Sequence, residues 1–263
     1  MAEIVRYLED QHAVVTGGSR GIGAAVAAEL VERGARVTIM GRSVDTLEEQ
    51  AQKLRGERGV TVSVEECDVS DGASVANAFS RSVSTLGPVQ ILINNAGTAK
   101  SRFFTETTRE IWDELIGVNL TGTYLCSAEV VPGMMEAKGG RIVNIASTAG
   151  LRGYKTMSAY CASKHGVIGL TRALSQETAK FGITVNAVCP SYTETDLTDR
   201  AIENLVKNMG KTEEEAHKMI VGVITRGTLI TVSEVATAVS WLCSPDASGI
   251  TGISLPIAGG EVQ

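Results

Sequence analysis

A tyrosine and a lysine four positions apart are the residues of this 263-residue chain whose types and spacing most directly suggest acid–base chemistry. Tyr160 and Lys164 would share one face of a helix, because residues at i and i+4 are neighbours on a helix surface. An ammonium ~4 Å from a phenol oxygen attracts the phenolate by about 4 kcal/mol at an effective dielectric of ~20, or roughly three pKa units before desolvation takes part of that shift back. We therefore expect Tyr160 to exchange protons with a substrate oxygen near neutral pH, as an acid in reduction and a base in oxidation.

A serine precedes this pair in the chain. Ser147 follows the apolar run 141–146 and lies thirteen residues before Tyr160. Its hydroxyl could hydrogen-bond the same substrate oxygen and stabilise developing alkoxide charge. Taken alone, Tyr160 and Lys164 could equally be an exposed helical pair.

A glycine-rich turn predicts the partner of this acid–base group. Residues 16–23 read Thr-Gly-Gly-Ser-Arg-Gly-Ile-Gly between a predicted strand and a predicted helix. Glycines allow close approach of a pyrophosphate, and the helix N-terminus supplies unpaired N–H groups with partial positive charge. The turn lacks the Lys-Ser/Thr ending of a phosphate-transferring P-loop, so a dinucleotide is the expected ligand. The residues expected to contact it are Gly17, Ser19, Arg20, Gly21, Ile22 and Gly23.

The end of the second predicted strand indicates which dinucleotide binds. Sites that select a free ribose 2′-hydroxyl usually carry an acidic residue there, whereas this chain has Arg42. Arg42 and Arg20 could converge on a 2′-phosphate, since guanidinium groups bind oxygens in pairs. NADP(H) is therefore preferred, and NAD(H) stays possible if Arg42 is only a solvated residue.

Short apolar runs alternate with helical patterns along the whole chain and predict the elements that position these residues. Alternation of this kind indicates a doubly wound α/β fold with a parallel sheet, in one domain over residues 1–263. Strands are predicted at 12–16, 35–40, 60–66, 89–94, 140–146, 183–189 and 252–257. Helices are predicted from the repeat of Ile22, Val26 and Leu30, and near 43–55, 72–86, 107–131, 157–180 and 232–243.

Composition excludes several classes of function. The net charge is -6, so no general basic field would collect nucleic acid. No signal peptide and no run of 18 apolar residues is found, which predicts a cytoplasmic protein with no membrane contact. The five cysteines form no C-x-x-C pair and the three histidines have no ligand spacing, so we expect buried free thiols and no bound metal.

Together these motifs resemble the short-chain dehydrogenase/reductase family, in its compact ketoreductase-like form. The resemblance rests on the T-G-x-x-x-G-x-G turn, Asn94-Asn95-Ala96-Gly97, and a serine before Tyr160-x-x-x-Lys164, in that order. It implies a seven-stranded sheet of order 3-2-1-4-5-6-7 and a nicotinamide dinucleotide. It also implies that Asn119 holds a water linking Lys164 to solvent, and that Lys164 holds the cofactor's ribose.

The resemblance assigns further cofactor contacts by position. Asp68 and Val69 would contact the adenine. Asn95, Ala96 and Gly97 would form the floor of the cofactor cleft. The loop after the sixth strand would add the contacts Pro190, Thr193 and Thr195. Ser191 departs from the glycine that the family usually carries, and could reshape the substrate entrance. A substrate lid is expected near 193–225, with Met209, Met219 and Ile220 as its apolar face.

The predicted function is NADP(H)-dependent hydride transfer between nicotinamide and a ketone or secondary alcohol, with Tyr160 as general acid/base. A 3-oxoacyl thioester or a cyclic or aromatic ketone is the expected small-molecule substrate. An NAD-dependent dehydrogenase of hydroxyacyl or cyclic alcohols is the alternative within the same chemistry. A non-catalytic dinucleotide-binding subunit or sensor is the alternative in another class. The resemblance alone implies a homo-oligomer, a tetramer or a dimer.

Overall fold

Seven strands form one parallel sheet in the computed structural model, which describes residues 5–56 and 60–262. The strand order is β3-β2-β1-β4-β5-β6-β7, which confirms the predicted order. The strands are β1 His12–Thr16, β2 Arg36–Gly41, β3 Val62–Glu66, β4 Ile91–Asn94, β5 Gly140–Ile145, β6 Ile183–Pro190 and β7 Ser254–Ile257. All six neighbouring pairs are parallel.

The central strands are apolar because helices cover both faces of the sheet. Every residue of β1, β4 and β6 is buried, as expected for a parallel sheet enclosed on two sides. One core joins β1, β2 and β4 with α1 (Gly21–Glu32) and α9 (Val232–Cys243). Another joins the opposite face with α3 (Gly72–Leu86) and α5 (Gly122–Ala137). The strand order reverses between β1 and β4, and that switch point is where such sheets bind ligands.

The helices agree with the predicted pattern to within a few residues in most places. The remaining helices are α2 Val44–Arg55, α4 Arg109–Ile116, α6 Ser158–Thr178, α7 Asp196–Met209 and α8 Glu213–Val221. Local capping fixes several starts: Asp71 accepts a hydrogen bond from Ala73 N at 3.0 Å before α3, and Thr231 forms a capping box with Glu234 before α9.

One predicted helix is wrong as a continuous element. The span 107–131 is divided into α4, a π-helical turn at Gly117–Thr121, and α5, which extends to Ala137. A π turn inserts one extra residue into a helix and often marks a functional position. Asn119 lies in this turn and is buried. Helical periodicity could not reveal the insertion, because the apolar spacing on either side stays helical.

The segment expected to form a lid contains α7 and α8. Its predicted apolar face is wrong in part, because Ile220 is buried whereas Met209 and Met219 are 52% and 42% exposed. Leu197 and Val223 are also exposed. Ile220 and Met219 are consecutive, so a helix directs their side chains about 100° apart. No helix of the described residues is both long enough and apolar enough to cross a membrane. All five cysteines are free and buried.

Candidate active site

The serine and tyrosine predicted to act on one substrate oxygen lie near each other. Ser147 is the second residue after β5, and its hydroxyl accepts a hydrogen bond from Ala149 N at 3.1 Å, which caps the following turn. Tyr160 lies in the first turn of α6, close enough to Ser147 for the serine to lower the pKa of its phenol. The strand end and the helix start therefore bring both hydroxyls to one point at the edge of the sheet.

Lys164 lies one helical turn beyond Tyr160 with its ammonium inside the protein. Only 5% of the residue is exposed, and Nζ donates a hydrogen bond to Ile145 O at 2.8 Å. Nζ also lies 5.8 Å from the centre of the Tyr160 ring. Burial lowers the pKa of Lys164 to about 8, because desolvation disfavours the charged form. The side chain is thus a lysine that can change charge near physiological pH.

The expected lowering of the Tyr160 pKa is wrong. Burial raises the pKa of this phenol to about 12, and the nearby Ser147 offsets only part of that effect. A lowered pKa requires the ammonium to lie ~4 Å from the phenol oxygen and to be directed toward it. In the structure the ammonium is directed to the Ile145 carbonyl, and desolvation of the phenolate dominates. Tyr160 is accordingly a protonated hydrogen-bond donor at neutral pH.

Asn119 joins the π turn to the loop after β4. Its Oδ1 accepts a hydrogen bond from Thr98 N at 2.8 Å, and its Nδ2 donates to Thr98 O at 2.9 Å and Ser163 Oγ at 3.0 Å. Gly97 lies against this group, since a Cβ there would be 3.2 Å from Asn119 Oδ1 and 3.6 Å from Lys164 Nζ. Asn119 therefore holds the loop that faces Lys164. Its predicted role in holding a water stays a prediction.

The glycine-rich turn has the geometry of a ligand cradle. Gly17 and Gly21 have φ values of +63° and +55°, which side-chain-bearing residues rarely adopt. A Cβ on Gly23 would overlap the Gly17 carbonyl oxygen, so only glycine lets α1 start this close to the turn. The helix has no side-chain cap and no acidic residue in its first turn. These features fit a negatively charged group such as a pyrophosphate.

The other predicted members of this turn lie around the cradle. Ser19 and Arg20 immediately precede α1, whereas the Ile22 side chain packs against the core, which leaves its backbone as the part available to a ligand. Arg20 Nη1 lies 3.5 Å from Asp196 Oδ2 at the start of α7. Arg20 and Arg42 therefore contact different groups in the structure.

Thr16, which is not among the predicted site residues, hydrogen-bonds the residues predicted to form the floor of the cleft. Thr16 Oγ1 accepts hydrogen bonds from both Asn95 N and Ala96 N at 3.0 Å. Asn95 Nδ2 returns hydrogen bonds to Thr16 O at 2.9 Å and Gly17 O at 3.1 Å. The predicted floor residues are thus bonded to the glycine-rich turn. The position of Thr16 at the end of β1, directly before Gly17, was the available signal.

Arg42 lines a surface cleft beside the predicted adenine contact. The cleft is lined by Arg42, Glu66, Asp68, Ser74, Asn77 and Arg81. Asp68 Oδ1 accepts hydrogen bonds from Ser70 N at 2.9 Å and Ser70 Oγ at 2.6 Å, which lower the pKa of this carboxyl group, with a smaller contribution from Arg42. Val69 is buried against Gly122. A cation and a carboxylate therefore face one opening at the ends of β2 and β3.

The loop after β6 turns back toward the glycine cradle. Pro190 ends β6, and Thr193 Oγ1 donates a hydrogen bond to Ser191 O at 3.0 Å. A Cβ on Gly21 would lie 3.2 Å from Thr195 Cγ2, so Thr195 approaches the start of α1. Ser191 has no positive φ, and its hydroxyl donates a hydrogen bond to Glu261. Glu261 lies outside every motif recognised in the sequence, so no local pattern predicts this contact.

Comparison with known proteins agrees with this geometry. The sequence pattern described as short chain dehydrogenase matches residues 11–206. A protein of Streptomyces violaceoruber named as ketoacyl reductase 1 of the granaticin polyketide synthase is 40% identical over 250 residues, which cover 94% of this chain and 92% of that protein. An acetoacetyl-CoA reductase of Rhizobium meliloti (strain 1021) is 40% identical over 249 residues, covering 95% and 97%.

A solved structure of a ketoreductase has the same fold as this chain. The crystal structure of an actinorhodin polyketide ketoreductase with NADPH is similar to this chain with a TM-score of 0.92 and 38% sequence identity, covering 95% of this chain and 97% of that one. These matches confirm the predicted oxidoreductase class and the predicted resemblance to ketoreductases. The chain belongs to the short-chain dehydrogenase family.

Proposed function

We propose that this protein is an NADP(H)-dependent ketoreductase that acts on a 3-oxoacyl compound. The observation that carries the proposal is the buried Lys164, one helical turn beyond Tyr160, with Nζ 5.8 Å from the centre of the Tyr160 ring and beside Gly97 of the cleft floor. An acid, an oxygen-binding hydroxyl and a cation are the groups that reduction of a carbonyl requires of the protein. A bound nicotinamide supplies the hydride, which is the difficult part of the chemistry.

In this mechanism the protein's residues handle the carbonyl oxygen. The Tyr160 and Ser147 hydroxyls donate hydrogen bonds to that oxygen, which polarises the carbonyl carbon for attack. As negative charge develops on the oxygen, Tyr160 transfers its proton and Ser147 keeps its hydrogen bond. Lys164 then lies close enough to favour the transient phenolate by its charge. Asn119 holds the loop at Thr98, which faces Lys164 across Gly97.

The protonation state of Tyr160 fits the role of a general acid in reduction. A phenol whose pKa is raised to about 12 is protonated at neutral pH, which is the state a general acid needs. Oxidation would require the phenolate, which burial disfavours. An NAD-dependent alcohol dehydrogenase, in which the same tyrosine acts as the base, is the alternative function.

For the cofactor we propose contacts from five strand ends, those of β1, β2, β3, β4 and β6, and from α6. The glycine cradle (Gly17, Ser19, Arg20, Gly21, Ile22, Gly23) would take the pyrophosphate, and Asp68 and Val69 the adenine. The proposed nicotinamide side comprises Asn95, Ala96, Gly97, Tyr160, Lys164, Pro190, Thr193 and Thr195. Arg42 is proposed to bind the 2′-phosphate of NADP(H), which the NADPH in the similar ketoreductase structure supports. Arg20 is a weaker candidate for that phosphate because it pairs with Asp196.

The 3-oxoacyl assignment rests on the relatives named as ketoacyl and acetoacetyl-CoA reductases. A cyclic or aromatic ketone is the second substrate class. The proposed lid, α7 and α8, offers little net positive charge to an anionic carrier, since Lys211 and Lys218 pair with Glu215 and Glu214 at 3.5 Å and 2.6 Å. The cytoplasmic location and the homo-oligomeric state stay predictions.

The experiment that tests the activity follows NADPH oxidation with acetoacetyl-CoA, a cyclic ketone and an aryl ketone. We expect Tyr160→Phe to lower kcat by at least ~10²-fold, because the general acid is removed, while the dissociation constant of NADPH changes little. Tyr124→Phe, at a tyrosine 56% exposed on α5, is the control and should keep full activity. Full turnover in Tyr160→Phe would exclude this mechanism.

The cofactor assignment has its own test. Arg42→Ala should lower the ratio of kcat/KM for NADPH to that for NADH by about 10-fold or more, the scale of losing a charge-assisted hydrogen bond. Lys53→Ala removes an exposed positive charge on α2 instead, and should leave the ratio unchanged. If Arg42→Ala left the ratio of kcat/KM for NADPH to that for NADH unchanged, the proposal that this residue binds the 2′-phosphate would be wrong.

A further inference from the structure

The last described turn of the chain touches three segments that surround the candidate site. We call residues 258–261, which follow β7, the C-terminal clasp. Ala258 is buried, and Glu261 N donates a hydrogen bond to Ala258 O at 3.1 Å, which closes the turn. Glu261 lies at its end and is half-buried. The conformation of the clasp is therefore stabilised by its own backbone hydrogen bond.

Glu261 accepts hydrogen bonds from two hydroxyl groups on different loops. Its Oε1 accepts from the Tyr154 phenol, and its Oε2 accepts from Ser191 Oγ. A carboxylate has two oxygens, and each can accept a hydrogen bond. Burial, and to a smaller extent the hydrogen bond to Glu261, raises the pKa of Tyr154, which keeps that phenol a donor. One carboxylate thus bridges the loop between β5 and α6 and the loop after β6.

Both bridged loops lead directly to the proposed reacting groups. The Tyr154 oxygen lies 2.9 Å from Thr148 Oγ1, and Thr148 is the neighbour of Ser147 in the chain. Ser191 follows Pro190, and its carbonyl accepts a hydrogen bond from Thr193 Oγ1 at 3.0 Å. Displacing Glu261 would release both loops together.

The Ser191 side chain is required for one of the two hydrogen bonds of Glu261. Family resemblance predicts glycine at this position, and glycine would have no hydroxyl to donate. The serine backbone has no positive φ, so it costs no strain there. Its N–H also donates to Ile257 O at 3.1 Å, at the end of β7. The departure at Ser191 therefore supplies half of the contact with Glu261.

The clasp also holds the chain just after the proposed lid. Arg226 N donates a hydrogen bond to Gly259 O at 2.8 Å, and Thr225 Oγ1 donates to Gly260 O at 3.0 Å. A Cβ on Gly259 would lie 2.8 Å from Ile224 Cγ2, so the two segments are in close contact. Since α8 ends at Val221, this contact lies only a few residues from the lid.

We propose that Glu261 is a positioning residue that determines which ketones the site accepts. Through its hydrogen bonds with Tyr154 and Ser191, Glu261 holds the two loops beside the carbonyl site in fixed relative positions. Through the clasp, it also holds the segment that follows α8 in place relative to these loops. The statement about ketones rests on the proposed function. The mechanical link between the loops does not.

Amide hydrogen exchange on the full-length protein tests the mechanical link without any activity. We expect exchange in peptides covering 148–156 and 191–195 to accelerate by about 5-fold or more in Glu261→Ala, since local opening free energies fall when anchoring contacts are lost. Glu49→Ala removes an exposed carboxylate on α2 and should leave these peptides unchanged. Unchanged exchange in Glu261→Ala would overturn the proposal. If Glu261→Ala does not fold, Ser191→Ala and Tyr154→Phe give the same comparison.

Kinetics then test the link to specificity. With acetoacetyl-CoA and a bicyclic ketone as substrates, Glu261→Ala should change the ratio of their kcat/KM values by about 5-fold or more, and Ser191→Ala added to it should have little further effect, because contacting residues are not additive. A merely structural role would lower the melting temperature and leave the ratio unchanged, which would overturn the specificity claim. If the wild type reduces no ketone, the proposed function fails, and the exchange result still decides whether the clasp couples the loops.

Discussion

Lys164 shows how one residue of the site works against the stability of the fold. Its ammonium is buried with one protein hydrogen-bond acceptor, Ile145 O. Burial lowers its pKa from 10.5 to about 8, so the folded state disfavours the very charge that would favour the Tyr160 phenolate. A buried cation of this kind is retained because its charge serves the proposed chemistry, while an apolar side chain would pack there at lower cost.

We expect Lys164→Met to stabilise the protein at pH 7 by about 2 kcal/mol while abolishing turnover. The shift from 10.5 to about 8 corresponds to roughly 3 kcal/mol, and losing the hydrogen bond to Ile145 O takes back about 1 kcal/mol. Between pH 8 and 10.5 the unfolded wild type binds a proton that the folded wild type does not, so the unfolding free energy of the wild type rises with pH and the gain shrinks. Urea denaturation at pH 7 and pH 10 measures both effects, and a variant less stable than wild type at pH 7 would contradict the argument.

At the scale of elements, the β1–α1 connection shows why glycine is required where backbone segments meet. Gly23 lies in the first turn of α1, where a Cβ would overlap the Gly17 carbonyl oxygen. Gly133 also lies in a helix, α5, but a Cβ there would meet no atom within 4 Å. The same residue type therefore has opposite consequences in two helices.

Gly23→Ala should lower the free energy of unfolding by at least about 2 kcal/mol, because the turn and the helix must separate to accommodate the methyl group. It should also weaken NADPH binding at least 10-fold, since the cradle changes shape. Gly133→Ala is the matched control and should raise stability by about 0.5–1 kcal/mol through helix propensity alone. Chemical denaturation and fluorescence titration with NADPH measure the two quantities. Equal stability changes in both variants would show that the close approach at Gly23 is unimportant.

For the whole molecule, one edge of the sheet and several helices leave apolar surface open. The edge strand β7 is half-buried along its whole length, and Trp241 on the adjacent α9 is 43% exposed. Trp112 on α4 and Tyr124 on α5 are 39% and 56% exposed. Exposed aromatic and apolar groups of this size often mark an interface. These surfaces agree with the predicted homo-oligomer, in which copies of the chain would cover them.

Light scattering during size-exclusion chromatography should give a mass of about 111 kDa, four times the 27.7 kDa of one chain. The measurement should be repeated over a tenfold range of protein concentration, so that a weakly associating dimer is recognised by its falling mass. A constant mass near that of one chain would refute the prediction and would leave the exposed aromatic groups without a partner of this kind.

Much of the site followed from the sequence because its motifs are local. The spacing of Tyr160 and Lys164 predicts one helix face, and the glycine-rich turn between strand and helix predicts a cradle, since both depend on backbone geometry over a few residues. Alternating strands and helices indicate the parallel sheet, and family resemblance supplies its order. The sequence by itself therefore determined the fold class, the oxidoreductase class and the candidate site residues.

Only the tertiary structure decided how those residues are solvated and what fastens them. The pKa of Tyr160 rises because desolvation of the phenol outweighs the opposing effect of Ser147, and the Lys164 ammonium is directed to Ile145 O; spacing along the chain can show neither. The π turn at Asn119 and the bridge from Glu261 to Tyr154 and Ser191 likewise escaped the motifs. Desolvation and long-range hydrogen bonds depend on groups that are distant in the chain. They can therefore be identified only in the folded structure, where those groups are close together.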